Sequence, residues 1–172
     1  PRRVPPAASG TCHCGPAQCP DHRELDIETM AGLSDSEIEW AVVCHTHDRL
    51  ACSPDPSIER LPLMLRTIYS TYQFEVEATG GTIWLALSRH PEIAREARRV
   101  YAWLASPIGE LIDRAVAAPP EARGQRDFDD ELRRLIGLHD PRAFRVRYIR
   151  GAVRDLVAHA AQHPCRRRET PR

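Results

Sequence analysis

The chain has 172 residues, 42% of them hydrophobic and 28% charged. That bounds it to one domain, or one domain with a short appendage, and excludes collagen-like, wholly disordered and coiled-coil-only readings. Twenty-four basic residues balance 24 acidic ones, so the net charge is zero, and no apolar run approaches the roughly 18 residues of a membrane span.

Every basic residue is Arg. Codon bias in a GC-rich, bacterial genome accounts for this, and Arg chosen for bidentate anion recognition is the alternative. The balance hides an asymmetry: residues 1–86 hold 6 Arg and 12 acids, whereas residues 87–172 hold 18 Arg and 12 acids. The basic half could attract a phosphate or an acidic partner. Most of its Arg residues stand at helical spacings beside acids, however, which is the pattern of a solvated face.

The chain opens on Pro1-Arg2-Arg3-Val4-Pro5-Pro6 with no apolar stretch behind it. No intact secretory signal is therefore expected, the start reads as processed or trimmed, and a cytoplasmic location is expected. Residues 1–20 carry five Pro and two Gly and read as irregular chain. From there onward the pattern is helical. A short helix is expected over about Asp21–Ala31, before Gly32. Ser34 with Glu37 three residues on forms a capping box, opening a helix to about Ala51 that Ser53-Pro54-Asp55-Pro56 stops. Pro62 suits the first turn of a long third helix over about Leu63–Thr79, which Gly80-Gly81 should kink or break before Thr82–Ser88. Pro91 and Pro107 start the next two helices, Asp127 caps another to about Leu138, and Asp140-Pro141 opens a last helix closed by Pro164.

No segment sustains two-residue alternation. The expected fold is all-α: a helical bundle of about six to seven helices, the third and last at its centre, with a Pro/Cys-rich irregular N-terminal arm. The expected boundaries are an arm at 1–22, a bundle over 23–164 and a basic tail at 165–172.

The densest chemical signal is Cys12-x-Cys14-x4-Cys19-x2-His22. Four soft or borderline donors within eleven residues suit zinc, whose structural sites take four N/S ligands in a tetrahedron. The Cys-x-Cys spacing is tighter than the usual knuckle. Three Cys and one His is also the donor set of the CDGSH-type [2Fe–2S] proteins, but their spacings differ, and that family is not assigned. A split site could add Cys44 and His47, three apart on the second helix. Six Cys could instead form disulfides in an exported chain, or the segment could be a reduced tail.

Helical spacing places Trp40, Val43, Cys44, His47, Leu50 and Ala51 on one side of the second helix, with His45 and Cys52 on another. On the third helix Met64, Leu65, Ile68, Tyr69, Tyr72, Val76 and Ile83 share a face. Glu75 falls among them and, if buried, needs an Arg, a Tyr or His hydrogen bond, or a metal. Glu77 points elsewhere, into solvent, and Gly80-Gly81 could let a ligand come close. On the last helix Val146, Ile149, Val153, Leu156, Val157 and Ala160 form the apolar stripe, opposite Arg147, Arg150 and Arg154. Asp155, His159 and His163 stack four apart along one edge of that stripe. With Glu75 they make an alternative metal site for iron, manganese or zinc.

There is no Gly-rich phosphate loop, dinucleotide fingerprint, Gly-x-Ser-x-Gly or His-Glu-x-x-His. Residues 27–50 lack a basic recognition helix, which speaks against nucleic acid. The leading expectation is a metal-binding, zinc-holding helical protein that binds a small-molecule ligand or protein partner, with self-association open. The alternatives are an oxygenase- or hydrolase-like helical-bundle metalloenzyme at Glu75, Asp155, His159 and His163, and a non-catalytic regulator that uses its basic half on an acidic partner or nucleic acid.

Overall fold

In the computed structural model the described residues are 27–119, 121 and 126–162. The expected arm at 1–22, the basic tail at 165–172 and the site residues Cys12, Cys14, Cys19, His22 and His163 lie outside them. Among the described residues there are nine α-helices, one 3-10 turn and no strand. The all-α expectation holds, with more helices than the six or seven anticipated. Two breaks account for the excess, one at Gly80-Gly81 and one at Ala152. No helix among the described residues is long and apolar enough to cross a membrane. The chain divides into two compact units, Ser57–Tyr148 and the pair Pro1–Pro56 with Ile149–Arg172.

In the unit formed by the chain's two ends, α1 covers Ile27–Gly32 and α2 covers Asp35–Cys52. The capping box at the start of α2 is present in full: Glu37 N donates to Ser34 Oγ at 3.4 Å, and Ser34 N donates to Glu37 Oε2 at 2.8 Å. Each contact satisfies a backbone donor that a helix start leaves orphaned. Met30, Ile38, Ala41, Val42, Val43 and Cys44 are buried.

The expected single last helix is two helices, α8 over Pro141–Gly151 and α9 over Val153–Gln162. Ala152 N donates to Ile149 O, three residues back, and Leu156 N donates to Ala152 O. The chain therefore tightens for one turn and restarts. Helix α9 packs on α1. The stripe expected for the last helix still points inward at Ile149 and Leu156, which are fully buried, while Arg150 and Arg154 are exposed. Arg150 fastens the end of α8 to the start of α2, with Nη2 at 2.7 Å from Asp35 Oδ1 and 3.0 Å from Leu33 O.

In the unit Ser57–Tyr148 the 3-10 turn Ile58–Arg60 leads into α3, Leu63–Gly80. Helices α4 (Ile83–Arg89), α5 (Pro91–Trp103), α6 (Pro107–Ala117) and α7 (Arg126–His139) follow. Helix α3 is central and packs against α5, α4 and α7. It buries Thr67, Ser70 and Thr71 with Leu65, Ile68 and Phe74. The hydroxyls are tolerated because they donate back to the helix's own carbonyls, as Thr71 Oγ1 does to Thr67 O at 2.8 Å. Helix α5 is amphipathic at helical period: Ile93, Ala94, Ala97, Val100 and Tyr101 are buried, and Arg95, Arg98 and Arg99 face water. Gly109 lets α6 approach α5, since a Cβ there would stand 3.1 Å from Ala102 N. Buried Asp129 on α7 accepts from Ile83 N at 2.8 Å, which ties down the first turn of α4 after the glycine break.

Candidate functional site

The structure answers the question that Glu75 poses. Its residue is 9% exposed on α3, and Arg145 on α8 is 3% exposed. Arg145 Nη1 donates to Glu75 Oε1 at 2.5 Å and Nη2 donates to Oε2 at 3.0 Å. Tyr101 on α5 donates its hydroxyl to the same Oε1. Of the partners the sequence allowed, the carboxylate takes both an Arg and a Tyr. Arg145 also lies over the Tyr72 ring, 5.8 Å from its centroid. Burial pushes the Tyr101 phenol well above its ordinary pKa, and the negative charge of Glu75 adds to the rise.

The other residues of the alternative metal site are placed as follows. Asp155 is exposed on α9, and His159 Nε2 is hydrogen-bonded to Arg49 Nη1 of α2. A guanidinium only donates, so the bond needs Nε2 as an acceptor. On α2 Cys44 is buried and His47 is exposed. The expected sides of that helix are therefore exchanged for the two histidines, with His45 buried in place of His47. Among the described residues no three His, Cys, Asp or Glu side chains converge as a metal set.

A different group of residues does converge, where α3 ends and α5 begins. Gly80 and Gly81 terminate α3, Thr82 caps α4 by accepting from Leu85 N at 3.1 Å, and His90 joins α4 to the Pro91 start of α5. The missing Cβ of Gly81 makes room for Leu85, whose Cδ2 would lie 2.7 Å from it. Together these turns fold α4 back beside the last turns of α3. They border an open surface cleft of about 360 Å³ lined by Gln73, Val76, Glu77, Gly80, Leu85, Arg89 and His90.

Glu77 lies beside this cleft and, contrary to the expectation that it is solvated, its side chain is only 8% exposed. Oε1 accepts from Gln73 Nε2 at 3.0 Å and faces His90 Nε2 at 3.4 Å. Oε2 is buried and has no hydrogen-bond partner among the described residues. The charge of Glu77 is felt at Tyr69, whose pKa is raised first by burial and then by this carboxylate. Val76, expected on the buried face, is 46% exposed, and Leu85 is 43% exposed. Both leave apolar surface at the cleft. His90 stands between two carboxylates, since its Nδ1 is 3.7 Å from Glu92 Oε1.

Spacing could not reveal this group, because Glu77 and His90 are thirteen residues apart across a helix break. The one signal in the sequence is Gly80-Gly81. Comparison with known proteins finds no matching family model, curated protein or solved structure.

Proposed function

We propose that the chain is a metal-binding helical protein in which Cys12, Cys14, Cys19 and His22 hold zinc, and whose helical body binds a ligand or partner. The observation that carries the metal is the density of donors, four within eleven residues. That is the number and chemistry a tetrahedral zinc site takes. Glu75 is taken by Arg145 and Tyr101, and Glu96 by Arg66 at 2.8 Å and Arg99 at 2.9 Å. A carboxylate already neutralised by a bidentate guanidinium is a poor metal ligand, so the reading that routes iron or manganese through Glu75 has no observation in its favour.

Elemental analysis of the full chain, purified without added metal, tests the proposal. About one zinc per chain is expected, falling in Cys12→Ser/Cys14→Ser and unchanged in Glu75→Gln; less than about 0.2 metal per chain rejects it.

A further inference from the structure

We infer that the exposed face of Trp103, backed by Phe144 and Tyr148 and flanked by Arg99 and Arg147, is a stacking site for the bases of a single strand of nucleic acid. The inference names the partner that the preceding proposal leaves open for the helical body, and it rests on that reading. It uses none of the zinc residues, so elemental analysis and the titration below can fail separately.

Trp103 ends α5 and is 71% exposed, the most of any large hydrophobic residue among the described residues. It is not a stray apolar side chain. Its ring meets Phe144 of α8 edge to face, with centroids 6.5 Å apart and planes at 67°, and Phe144 stacks on Tyr148 at 5.8 Å and 13°. Ring pairs of this geometry attract beyond the area they bury, which holds the indole in place. The backbone is fixed as well. Ser106 N donates to Tyr101 O at 2.8 Å and Ala105 N to Ala102 O at 3.0 Å, which closes α5 in a Schellman turn. That turn puts Ala105 at φ 51°, where glycine is the usual occupant. The indole is thus presented on a rigid helix end with most of its surface in water. Preorganised aromatic area of this kind is what a planar partner stacks on at little ordering cost.

The surrounding charge says which planar partner. Helix α8 carries four Arg and no acid. Arg145 is engaged by Glu75 and Arg150 by Asp35. Arg147 stands one turn from Phe144, is exposed, and makes no ion pair among the described residues. Arg99 stands one turn before Trp103 with its side chain 66% exposed. The Glu96 it touches is also held by Arg66 at 2.8 Å, so these three groups leave one positive charge over. Asp140, one turn before Phe144, is occupied as a helix cap, its Oδ1 accepting from Ala143 N at 3.1 Å. Phosphates on either side of a stacked base would meet the two guanidiniums while the base covers the indole. A sugar or a neutral peptide leaves the guanidiniums unanswered, and an acidic peptide leaves the indole face unanswered. A duplex hides its base faces in its own stack, and residues 27–50 supply no basic helix to read its grooves. A single strand offers base faces and phosphates together.

Fluorescence anisotropy of a labelled oligothymidylate of about fifteen nucleotides, titrated with the full chain at about 50 and about 200 mM salt, tests the inference. Saturable binding is expected at the lower salt with a dissociation constant of about 100 μM or tighter. Trp40 and Trp84 are partly buried whereas Trp103 is exposed, so stacking should also quench tryptophan fluorescence. Trp103→Ala should weaken binding at least about fivefold and remove the quenching while leaving the salt dependence unchanged. Arg147→Gln should weaken binding and lower the slope of log K against log salt by about 0.7. Both side chains are exposed, and circular dichroism melts check that the variants fold. A duplex of the same length and polyglutamate should each bind at least about tenfold more weakly. Absence of saturable binding overturns the inference, as does a folded Trp103→Ala that binds the strand as well as wild type. Polyglutamate competing as well as the strand overturns it too, and makes an acidic peptide the partner.

Discussion

Arg145 grips both carboxylate oxygens of Glu75, across 70 residues of sequence, at a point where neither side chain reaches solvent to any useful degree. A buried pair of this kind draws little net stability from its own attraction, because both charges had to leave water. Its influence shows when one partner is removed. Arg145→Met strands the carboxylate and Glu75→Leu strands the guanidinium, and each should cost about 3–5 kcal/mol. Tyr101 makes the cluster three-sided, since its hydroxyl donates to Glu75. The triple variant Glu75→Leu/Arg145→Met/Tyr101→Phe removes the three polar partners together and should recover part of the loss. Urea unfolding of the four proteins decides the matter. Single variants at wild-type stability would mean the pair is not buried in solution.

Tyr101 also sets how the protein responds to alkali. The unfolded phenol titrates near its model value of 10.0, and in the folded chain burial and the neighbouring Glu75 carboxylate hold it well above that. Between the two values the folded chain keeps a proton that the unfolded chain has lost. Stability is therefore full below about pH 10 and falls as pH rises beyond it. Tyr69 shifts in the same direction through burial and Glu77. Tyr101→Phe should flatten the alkaline limb of stability against pH, and Tyr69→Phe/Tyr101→Phe should flatten it further. Denaturant midpoints taken from neutral pH to about 11 check this. An unchanged limb in the double variant would assign the fall to other groups.

The helix starts were legible because caps act locally. Ser34 with Glu37, Pro91, Pro107 and Pro141 each stand where the helices begin, and the Gly80-Gly81 break falls as expected. What escaped depends on neighbours distant in sequence. Helix α3 is packed on several sides, so polar Thr67, Ser70 and Thr71 are buried while apolar Val76 is exposed, and a single apolar stripe does not describe it. Which of His45 and His47 turns inward on α2 is likewise a matter of rotation by part of a turn. Glu75 was visible as an anomaly because it interrupts an apolar row. Glu77 was not, because only the fold-back of α4 buries it.

Glycines at two positions should respond oppositely to the same change. At Gly109 an added Cβ would press on Ala102 N at 3.1 Å and Tyr101 C at 3.3 Å. These are backbone atoms of α5 and cannot rotate aside. Gly109→Ala should force α5 and α6 apart at a cost of about 1–2 kcal/mol. At Gly80, in the last turn of α3, nothing lies within 4 Å of the new methyl group. Gly80→Ala should raise stability by about 0.5–1 kcal/mol, because alanine loses less chain entropy in a helix. Thermal melts of the two variants should move to opposite sides of wild type, and a shift in the same direction would contradict the packing at one of them.

Arg49 and His159 bring the last prediction, since the bond between them joins α2 to α9. The guanidinium can only donate, so the imidazole must supply the acceptor. Burial lowers the pKa of Arg49, so the charge sits partly out of water and the loss of an acceptor is felt. His159→Ala should therefore loosen α9 by on the order of 1 kcal/mol. Amide hydrogen exchange along Val153–Gln162 reads that opening directly. His159→Gln keeps an acceptor and should retain more of the protection than His159→Ala; equal protection in wild type and His159→Ala would mean the bond holds nothing. The same bond bears on the metal question: a cation could use Nε2 of His159 only by displacing Arg49. His159→Ala should therefore leave the zinc content unchanged. A drop in zinc on His159→Ala would move the metal from the Cys/His cluster to α9.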